Sequence, residues 1–275
     1  WTRYLQVYKK LVVIARVKDV SEPNRRHVLA SGDFVEFFCL PDYTGPVAYI
    51  AVLPNLKKAI RTAIDACNCA ILRVPGQIAT LAWHQKKKKN IPYALEVCGD
   101  PWESLAPGTI QSIFRPIARY YATRNLKSQC LKAAAISYVT DWKLQERYPA
   151  KYPCSNDELS NEGWHRKCYV TNYSSIDLDE SAYFKKNSRK RAKSICILNV
   201  GSMTTLYKAQ DIQIRAVKKC IERGYDIKLH LIGGGDCRSK FESLSLDLGV
   251  QERICFLGTL PGAEAVRNEL DKADL

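Results

Sequence analysis

From residue 194 onward, short apolar runs alternate with segments of helical spacing, and this alternation constrains the fold more than any other feature. Three runs read as strands that end at or just before glycine: "SICILNV" (194–200), "IKLHLIG" (227–233) and "ICFLG" (254–258). Three segments place apolar residues on one helical face: 208–223, 238–248 and 263–272. A fourth strand is expected to begin at "ADL" (273–275). This alternation predicts a parallel sheet with right-handed crossovers, and therefore an α/β fold.

The predicted sheet brings three glycine-bearing turns to one edge, because the carboxyl ends of parallel strands lie together. The turns are "NVGSM", "LIGGGD" and "FLGTL". Glycine allows close backbone approach there, and the following helix N-termini favour anions. The second turn departs from the G-x-G-x-x-G dinucleotide pattern, because Ser239 stands at the third glycine position. The edge therefore suits an anion and gives little support to a dinucleotide cofactor.

Lys208 is the charged residue of the first turn and stands at the start of its predicted helix. Gly201 lets the backbone approach a ligand, and Ser202, Thr204 and Thr205 offer hydroxyl groups. A lysine at a helix N-terminus is mildly unfavourable for the helix dipole, which favours an anionic neighbour such as a phosphate. An ordinary solvated surface lysine is the alternative.

The earlier part of the chain reads as a second α/β domain with a less regular pattern. Five runs read as strands: 9–17, 33–41, 68–75, 91–100 and 132–140. Helical spacing follows at 76–89 and over about 108–132, where Pro116 is expected to cause a kink. A short helix follows the last strand, with Thr140 or Asp141 as its cap. The predicted division is a first domain, a polar and charged linker and a second domain: 1–172, 173–193 and 194–275.

The net charge of +14 favours an anionic partner, namely nucleic acid, an acidic membrane face or a phosphorylated small molecule. Much of the charge lies in "HQKKKKN" (84–90) and "KKNSRKRAK" (185–193), for which a solvated loop or helix end is the alternative. The eleven cysteines are scattered without paired C-x-x-C motifs, which predicts a reducing compartment and no structural zinc. The four dispersed histidines predict no metal cluster, and no apolar run approaches the roughly 20 residues that span a bilayer.

The order and spacing of these motifs resemble the donor-binding half of a GT-B-type, retaining glycosyltransferase of family four. "ILNVGSMTTLYKAQD", "LIGGGDCRSKFESLSLDLGV" and "ICFLGTLP" carry this resemblance. The front half resembles the bacterial surface-polysaccharide members through "ILRVPGQIATLAW", "PYALEVCGDPWE", "SYVTDWKLQERYP" and "TNYSSIDL". The resemblance implies two Rossmann-like domains facing a cleft, with the acceptor side at 1–172 and the nucleotide-sugar site at 194–275.

The implied reaction moves a hexose from a nucleoside-diphosphate sugar to a glycan or lipid-linked acceptor, with retention, in polysaccharide biosynthesis. The resemblance implies a donor site in which Lys208 contacts the diphosphate, with Gly201 and Ser202 beside it. It also implies that Gly233 and Gly235 line the nucleotide crevice and that Leu260 flanks the base or ribose. Asp100 would face the reacting sugar, with a turn or helix cap as the alternative. Arg73 and Pro75 end a strand that would face the cleft, and an interdomain ion pair is the alternative for Arg73.

The resemblance implies no cofactor beyond the donor substrate, no metal, and no nucleic-acid partner. It implies a cytoplasmic protein, and the basic runs fit docking to the inner, anionic face of the plasma membrane.

Three departures from the family pattern qualify this expectation. Ser202 stands where the family has an arginine, and Ala209 stands where it has a glycine. The chain is also expected to be truncated, because it stops before the family's acidic donor-sugar loop and C-terminal helix and lacks the first strand. A catalytically impaired nucleotide-binding module of the same fold therefore stays open. A basic nucleic-acid-binding protein is a weaker alternative, because no groove-reading motif is present.

Overall fold

The computed structural model describes residues 1–21, 29–89, 92–110, 112–154, 167–174 and 194–275. The strands in these ranges are β1 Leu11–Val17, β2 Val35–Pro41, β3 Ala70–Val74, β4 Tyr93–Val97, β5 Ala135–Tyr138, β6 Pro153–Cys154, β7 Cys168–Asn172, β8 Ile195–Val200, β9 Ile227–Ile232 and β10 Ile254–Gly258. The helices are α1 Thr2–Leu5, α2 Gly45–Asp65, α3 Gln77–Lys89, α4 Pro101–Ser104, α5 Arg115–Cys130, α6 Lys143–Arg147, α7 Gln210–Glu222, α8 Arg238–Asp247 and α9 Gly262–Leu270. Within the described residues, no helix combines the length and apolarity needed to span a bilayer.

The chain divides into two compact units. The first contains residues 1–101 and the described part of 120–175, and the second contains 102–119 together with 194–275. Residues 102–119 thus group with the second unit, whereas the sequence reading assigned them to the first domain.

The first unit is built on a five-stranded parallel sheet of order β3-β4-β5-β7-β6, accompanied by the parallel pair β1-β2. Leu72, Leu95 and Ile136 are neighbours in register and are almost fully buried, so they form the core face of the sheet. The opposite face carries a row of polar residues in register: Arg73, Glu96, Ser137 and Thr171. One face of this sheet is therefore apolar. The other is mixed, because a second row in register lies beside the polar one: Ile71, Ala94, Ala135 and Tyr169.

The second unit is a parallel sheet of order β10-β9-β8. Leu275 continues this sheet beside β8, because the Leu198 amide donates to the Leu275 carbonyl at 2.8 Å and the Asp274 amide donates to the Cys196 carbonyl at 2.8 Å. Successive strands run outward from β8 to β10, and the chain then returns to the other side of β8. This reversal of strand order is a topological switch point, and ligands of open α/β sheets bind at the carboxyl ends of strands there.

The core of the second unit lies between the sheet and helices α7 and α8. Met203, Ile214, Leu229, Leu231 and Phe241 are each at most 1% exposed. Met203 belongs to the first glycine-bearing turn, so this turn is anchored in the core rather than lying loose on the surface.

The predicted α/β class with a parallel sheet in each unit is confirmed. Neither predicted cap, Thr140 or Asp141, occupies the N-cap position of α6, which is Trp142. Thr140 lies two residues before it, and its Oγ1 accepts from the Leu144 amide at 3.1 Å. The expected kink at Pro116 is wrong. Helix α5 begins at Arg115, so Pro116 occupies the first turn, where a missing N–H costs nothing. Helix α2 and strand β7 were not anticipated.

Both basic runs lie partly or wholly beyond what the structure describes. The run 84–90 ends among residues whose side chains are not described, and 185–193 lies outside the described residues.

Candidate nucleotide-sugar site

The first turn leaves β8 at Gly201 and is held by the second turn through backbone hydrogen bonds. The Gly201 amide donates to the Ile232 carbonyl at 2.9 Å, and the Met203 amide donates to the Gly234 carbonyl at 2.9 Å. The Cys237 amide donates back to the Met203 carbonyl at 2.8 Å. The two turns are therefore locked together at the carboxyl edge of the sheet.

Gly233 and Gly235 make this interlock possible, because both adopt positive φ angles of 132° and 146°. A Cβ on Gly233 would lie 2.8 Å from the Gly201 carbonyl carbon and closer still to its oxygen. A Cβ on Gly235 would lie 2.8 Å from the Met203 carbonyl oxygen. These glycines were predicted to line a crevice. Their immediate effect in the structure is to let two backbone segments touch.

The third turn joins the same edge, because the Gly233 amide donates to the Gly258 carbonyl at 2.8 Å. Leu260 follows in this turn and is half-buried, and Thr259 places its Oγ1 3.1 Å from the Cβ position of Gly234. The structure thus brings together the three turns that the sequence assigned to one site.

Lys208 lies in a 3-10 turn, Leu206–Lys208, and α7 begins two residues later than the sequence predicted. Its side chain is exposed, and its Cγ lies 3.3 Å from the Cβ position of Gly201. Its Nζ lies 5.6 Å from the centroid of the Tyr207 ring. Among the described residues, no carboxylate oxygen lies within the 4.0 Å of an ion pair with Lys208. The aliphatic part of the Lys208 side chain therefore covers Gly201 at the end of β8. The charge of its ammonium group is not compensated by any carboxylate among the described residues.

Ala209 occupies the left-handed region, with φ 57° and ψ 32°, directly before α7. An L-residue with a Cβ is unfavourable there by roughly 1–2 kcal/mol. Alanine at this position, where the resembled family has a glycine, therefore carries a structural cost that the sequence pattern alone does not reveal.

Two polar side chains that the sequence reading did not assign to the site converge on Gly201. Asn199 Oδ1 and Gln210 Nε2 each lie 3.5 Å from its Cβ position. Gln210 is fully buried and donates from Nε2 to the Ser202 carbonyl at 3.2 Å. The buried Asn199 Oδ1 and Gln210 Oε1 have no hydrogen-bond partner in the described part of the chain. The neighbourhood of Gly201 is thus more polar than the three hydroxyl groups alone indicate.

The hydroxyl groups of Ser202, Thr204 and Thr205 make different hydrogen bonds. Ser202 Oγ and Thr204 Oγ1 lie 3.0 Å apart on the exposed side of the turn. Thr205 Oγ1 accepts from the Tyr207 amide at 3.4 Å and caps the 3-10 turn. Ser202 Oγ likewise accepts from the Thr204 amide at 3.3 Å. Ser202 and Thr205 thus both have a local structural contact, and all three residues are exposed at the turn.

A second cation, Arg238, lies at the start of α8 next to the third turn. Its Nη1 lies 3.5 Å from the Cβ position of Gly258. Its Nε contacts Glu242 Oε1 at 2.7 Å, and its Nη2 donates to the Phe256 carbonyl at 3.4 Å. The guanidinium is thus held by its own helix and strand, and Ser202 leaves the first turn without the arginine expected there.

Asp100 lies in the first unit, directly before α4. Its Oδ1 accepts from the Tyr148 hydroxyl at 2.6 Å, and its Oδ2 forms an ion pair with Arg147. Its side chain is only 12% exposed. Both carboxylate oxygens thus tie β4 to the end of α6, and the role of Asp100 toward a sugar stays a prediction.

Arg73 and Glu96 are neighbours in the polar row of the first unit's sheet. Tyr4 from α1 donates its hydroxyl to Glu96 Oε1. Burial and this contact with Glu96 raise the pKa of Tyr4 to about 12, so its hydroxyl stays a hydrogen-bond donor at neutral pH. Among the described residues, no three histidine, cysteine or acidic side chains gather as metal ligands, and all eleven cysteines are free.

Residues 181–275 match the family described as "Glycosyl transferases group 1". Over its whole length the chain is 26% identical to Protein CapJ of Staphylococcus aureus and spans 65% of that protein. A stretch of 87 residues, 32% of the chain, is 33% identical to the uncharacterized glycosyltransferase MJ1607 of Methanocaldococcus jannaschii and covers 22% of it.

Among solved structures, the Anabaena protein HepE, in complex with UDP and glucose, aligns with a TM-score of 0.49 and 14% identity. That alignment covers 87% of this chain and 59% of HepE. The sequence matches therefore support a glycosyltransferase, and the matched residues 181–275 contain the three interlocked turns.

Proposed function

We propose that the protein is a retaining, GT-B-type glycosyltransferase of family four. It transfers a hexose from a nucleoside-diphosphate sugar to a glycan or lipid-linked acceptor in polysaccharide biosynthesis, at the cytoplasmic face of the plasma membrane. The observation that carries the proposal is the position of Lys208. This lysine has no carboxylate partner among the described residues and lies beside Gly201, where β8 ends at the switch point.

The proposed chemistry is electrostatic. When the bond between sugar and diphosphate breaks, negative charge grows on the leaving diphosphate. Lys208 Nζ and the N-terminal amides of α7 would stabilise that charge, and preorganised charges of this kind are often the largest catalytic contribution. The Ser202 hydroxyl would supply a neutral hydrogen bond where the family has an arginine, so Lys208 would carry most of the positive charge.

The proposal is tested by measuring nucleoside-diphosphate release from UDP- and GDP-hexoses by the intact chain in the presence of membrane lipid extract. We expect release by the wild type and a loss of about tenfold or more in Lys208→Ala. Lys219→Ala is the matched control, because Lys219 is an exposed lysine in the last turn of α7, the helix that follows Lys208. Equal activity in the two variants would show that Lys208 has no part in the reaction.

The alternative function, a catalytically impaired nucleotide-binding module, is favoured by one observation, the serine at position 202. This alternative predicts that UDP or GDP binds with the same dependence on Lys208 while no hexose is transferred. Where transfer does occur, NMR of the product distinguishes retention, which keeps the anomeric configuration of the donor, from inversion.

A further inference from the structure

Asn199 is a polar residue in an otherwise apolar row of the second unit's sheet. It is in register with Leu231 on β9, which is in register with Phe256 on β10. Leu231 is fully buried in the core between the sheet and helices α7 and α8, and Phe256 packs against that core. Side chains in register point to the same face of a sheet, so the Asn199 amide faces the core side of β8. A polar group placed there needs a hydrogen-bond partner.

Gln210 brings a second amide group to the carboxyl end of the same core. It is the first residue of α7 and is fully buried, one helical turn before the core residue Ile214. Its Nε2 donates to the Ser202 carbonyl at 3.2 Å. Its Oε1, like Asn199 Oδ1, is buried with no donor in the described part of the chain. A buried acceptor without a donor destabilises a protein, so we expect a donor group to reach these two oxygens when the site is in use.

The Lys208 ammonium is within reach of these oxygens. Lys208 Cγ lies 3.3 Å from the Cβ position of Gly201, and Asn199 Oδ1 and Gln210 Nε2 each lie 3.5 Å from the same point. Three bonds separate Cγ from Nζ, so rotation of the lysine side chain can bring its ammonium within hydrogen-bonding distance of Asn199 Oδ1. An ammonium has three N–H donors. It can therefore bond to an amide oxygen and to a phosphate oxygen at the same time.

We propose that Asn199 is a positioning residue for Lys208, with Gln210 Oε1 as a second acceptor. In the structure the Lys208 Nζ lies 5.6 Å from the centroid of the Tyr207 ring. When a diphosphate binds at the first turn, Nζ turns to donate to Asn199 Oδ1 and to the phosphate, and the supporting contact fixes the cation in place. A neutral amide holds the ammonium without cancelling its charge, as a carboxylate would. This role rests on the proposed function, because it requires a diphosphate at the first turn.

The test is a double-mutant cycle on the affinity for UDP, measured by calorimetric titration of the intact chain, with GDP as the parallel ligand. The four proteins are the wild type, Asn199→Leu, Lys208→Ala and the double variant. Leucine has a shape close to that of asparagine and no acceptor, so Asn199→Leu should not lower the free energy of unfolding in urea. We expect Asn199→Leu to weaken UDP binding about fivefold in the wild type and to have no effect in the Lys208→Ala background. Asn199→Ala, which adds no bulk, is a second variant with the same expectation.

Ser194→Ala is the control, because Ser194 Oγ is also buried without a partner among the described residues and lies at the opposite end of β8. This control should bind UDP like the wild type, and uridine should bind equally to the wild type and Asn199→Leu. An undiminished loss in the Lys208→Ala background, or no loss in the wild type, would overturn the role of Asn199 and leave that of Lys208 intact. If the wild type bound neither UDP nor GDP, the donor site itself would be wrong, and the role of Asn199 with it.

Discussion

Replacing Gly233 by alanine should lower the free energy of unfolding more than replacing a positive-φ glycine whose Cβ position is open. The added Cβ would lie 2.8 Å from the Gly201 carbonyl carbon, and the obstacle is backbone rather than a movable side chain. Gly201 cannot retreat without lengthening its hydrogen bond to Ile232, now 2.9 Å. Strain at φ 132° costs about 1–3 kcal/mol, and each lost hydrogen bond adds about 1 kcal/mol. We therefore expect a loss of roughly 2–4 kcal/mol in the free energy of unfolding.

Gly249→Ala provides the matched control. Gly249 has a φ of 64°, and in the described part of the chain no heavy atom lies within 4 Å of its Cβ position. Alanine there meets only the left-handed penalty of about 1–2 kcal/mol. Urea unfolding followed by far-ultraviolet circular dichroism would measure both losses. Similar losses for the two variants would refute the interlock, because the steric contribution of Gly201 would then be absent.

Three further substitutions or reactions probe other parts of the structure. Ala209→Gly should stabilise the protein by about 1 kcal/mol by relieving the left-handed φ, while Ala216→Gly, inside α7, should destabilise it by about the same amount in the same urea titration. Asp100→Asn should lower the free energy of unfolding by about 2 kcal/mol, since it weakens a largely buried ion pair with Arg147. Loss of hexose transfer at unchanged stability would instead support contact of Asp100 with the reacting sugar. Burial raises the pKa of the Cys130 thiol to about 12, so iodoacetamide at neutral pH should label the exposed Cys255 and spare Cys130, as judged by peptide mass spectrometry.

The second unit was largely predictable because its determinants are local. Strands β8, β9 and β10 are short apolar runs closed by glycine, and the helices between them keep a single apolar face. Local spacing was enough to predict that their turns share one edge, since parallel strands leave no other arrangement.

The first unit was less predictable because several of its elements lack such local signals. Helix α2 begins at Gly45, next to a proline, and contains Pro54 in its interior, where the missing N–H normally argues against a helix. Pro116 presented the opposite case, because its place in the first turn of α5 depends on where the helix starts.

The contacts that shape the site were not predictable, because they join residues that are far apart in sequence. Gly233 touches the backbone of Gly201, and Asp100 is paired with a residue 47 positions later. A single sequence shows that glycine is present without showing which backbone it meets. Ala209 was visible as a departure from the family, yet only the backbone angle shows that it is strained.

The most direct test of the donor-site assignment is calorimetric titration of UDP and of uridine into wild-type protein and Lys208→Ala, with GDP and guanosine as the parallel pair. A charge-assisted contact to the diphosphate predicts a loss of about tenfold or more in affinity for the nucleoside diphosphate and no change for the nucleoside. Equal affinity of wild type and Lys208→Ala for the diphosphate, or an equal loss for the nucleoside, would contradict the assignment of Lys208 to the diphosphate.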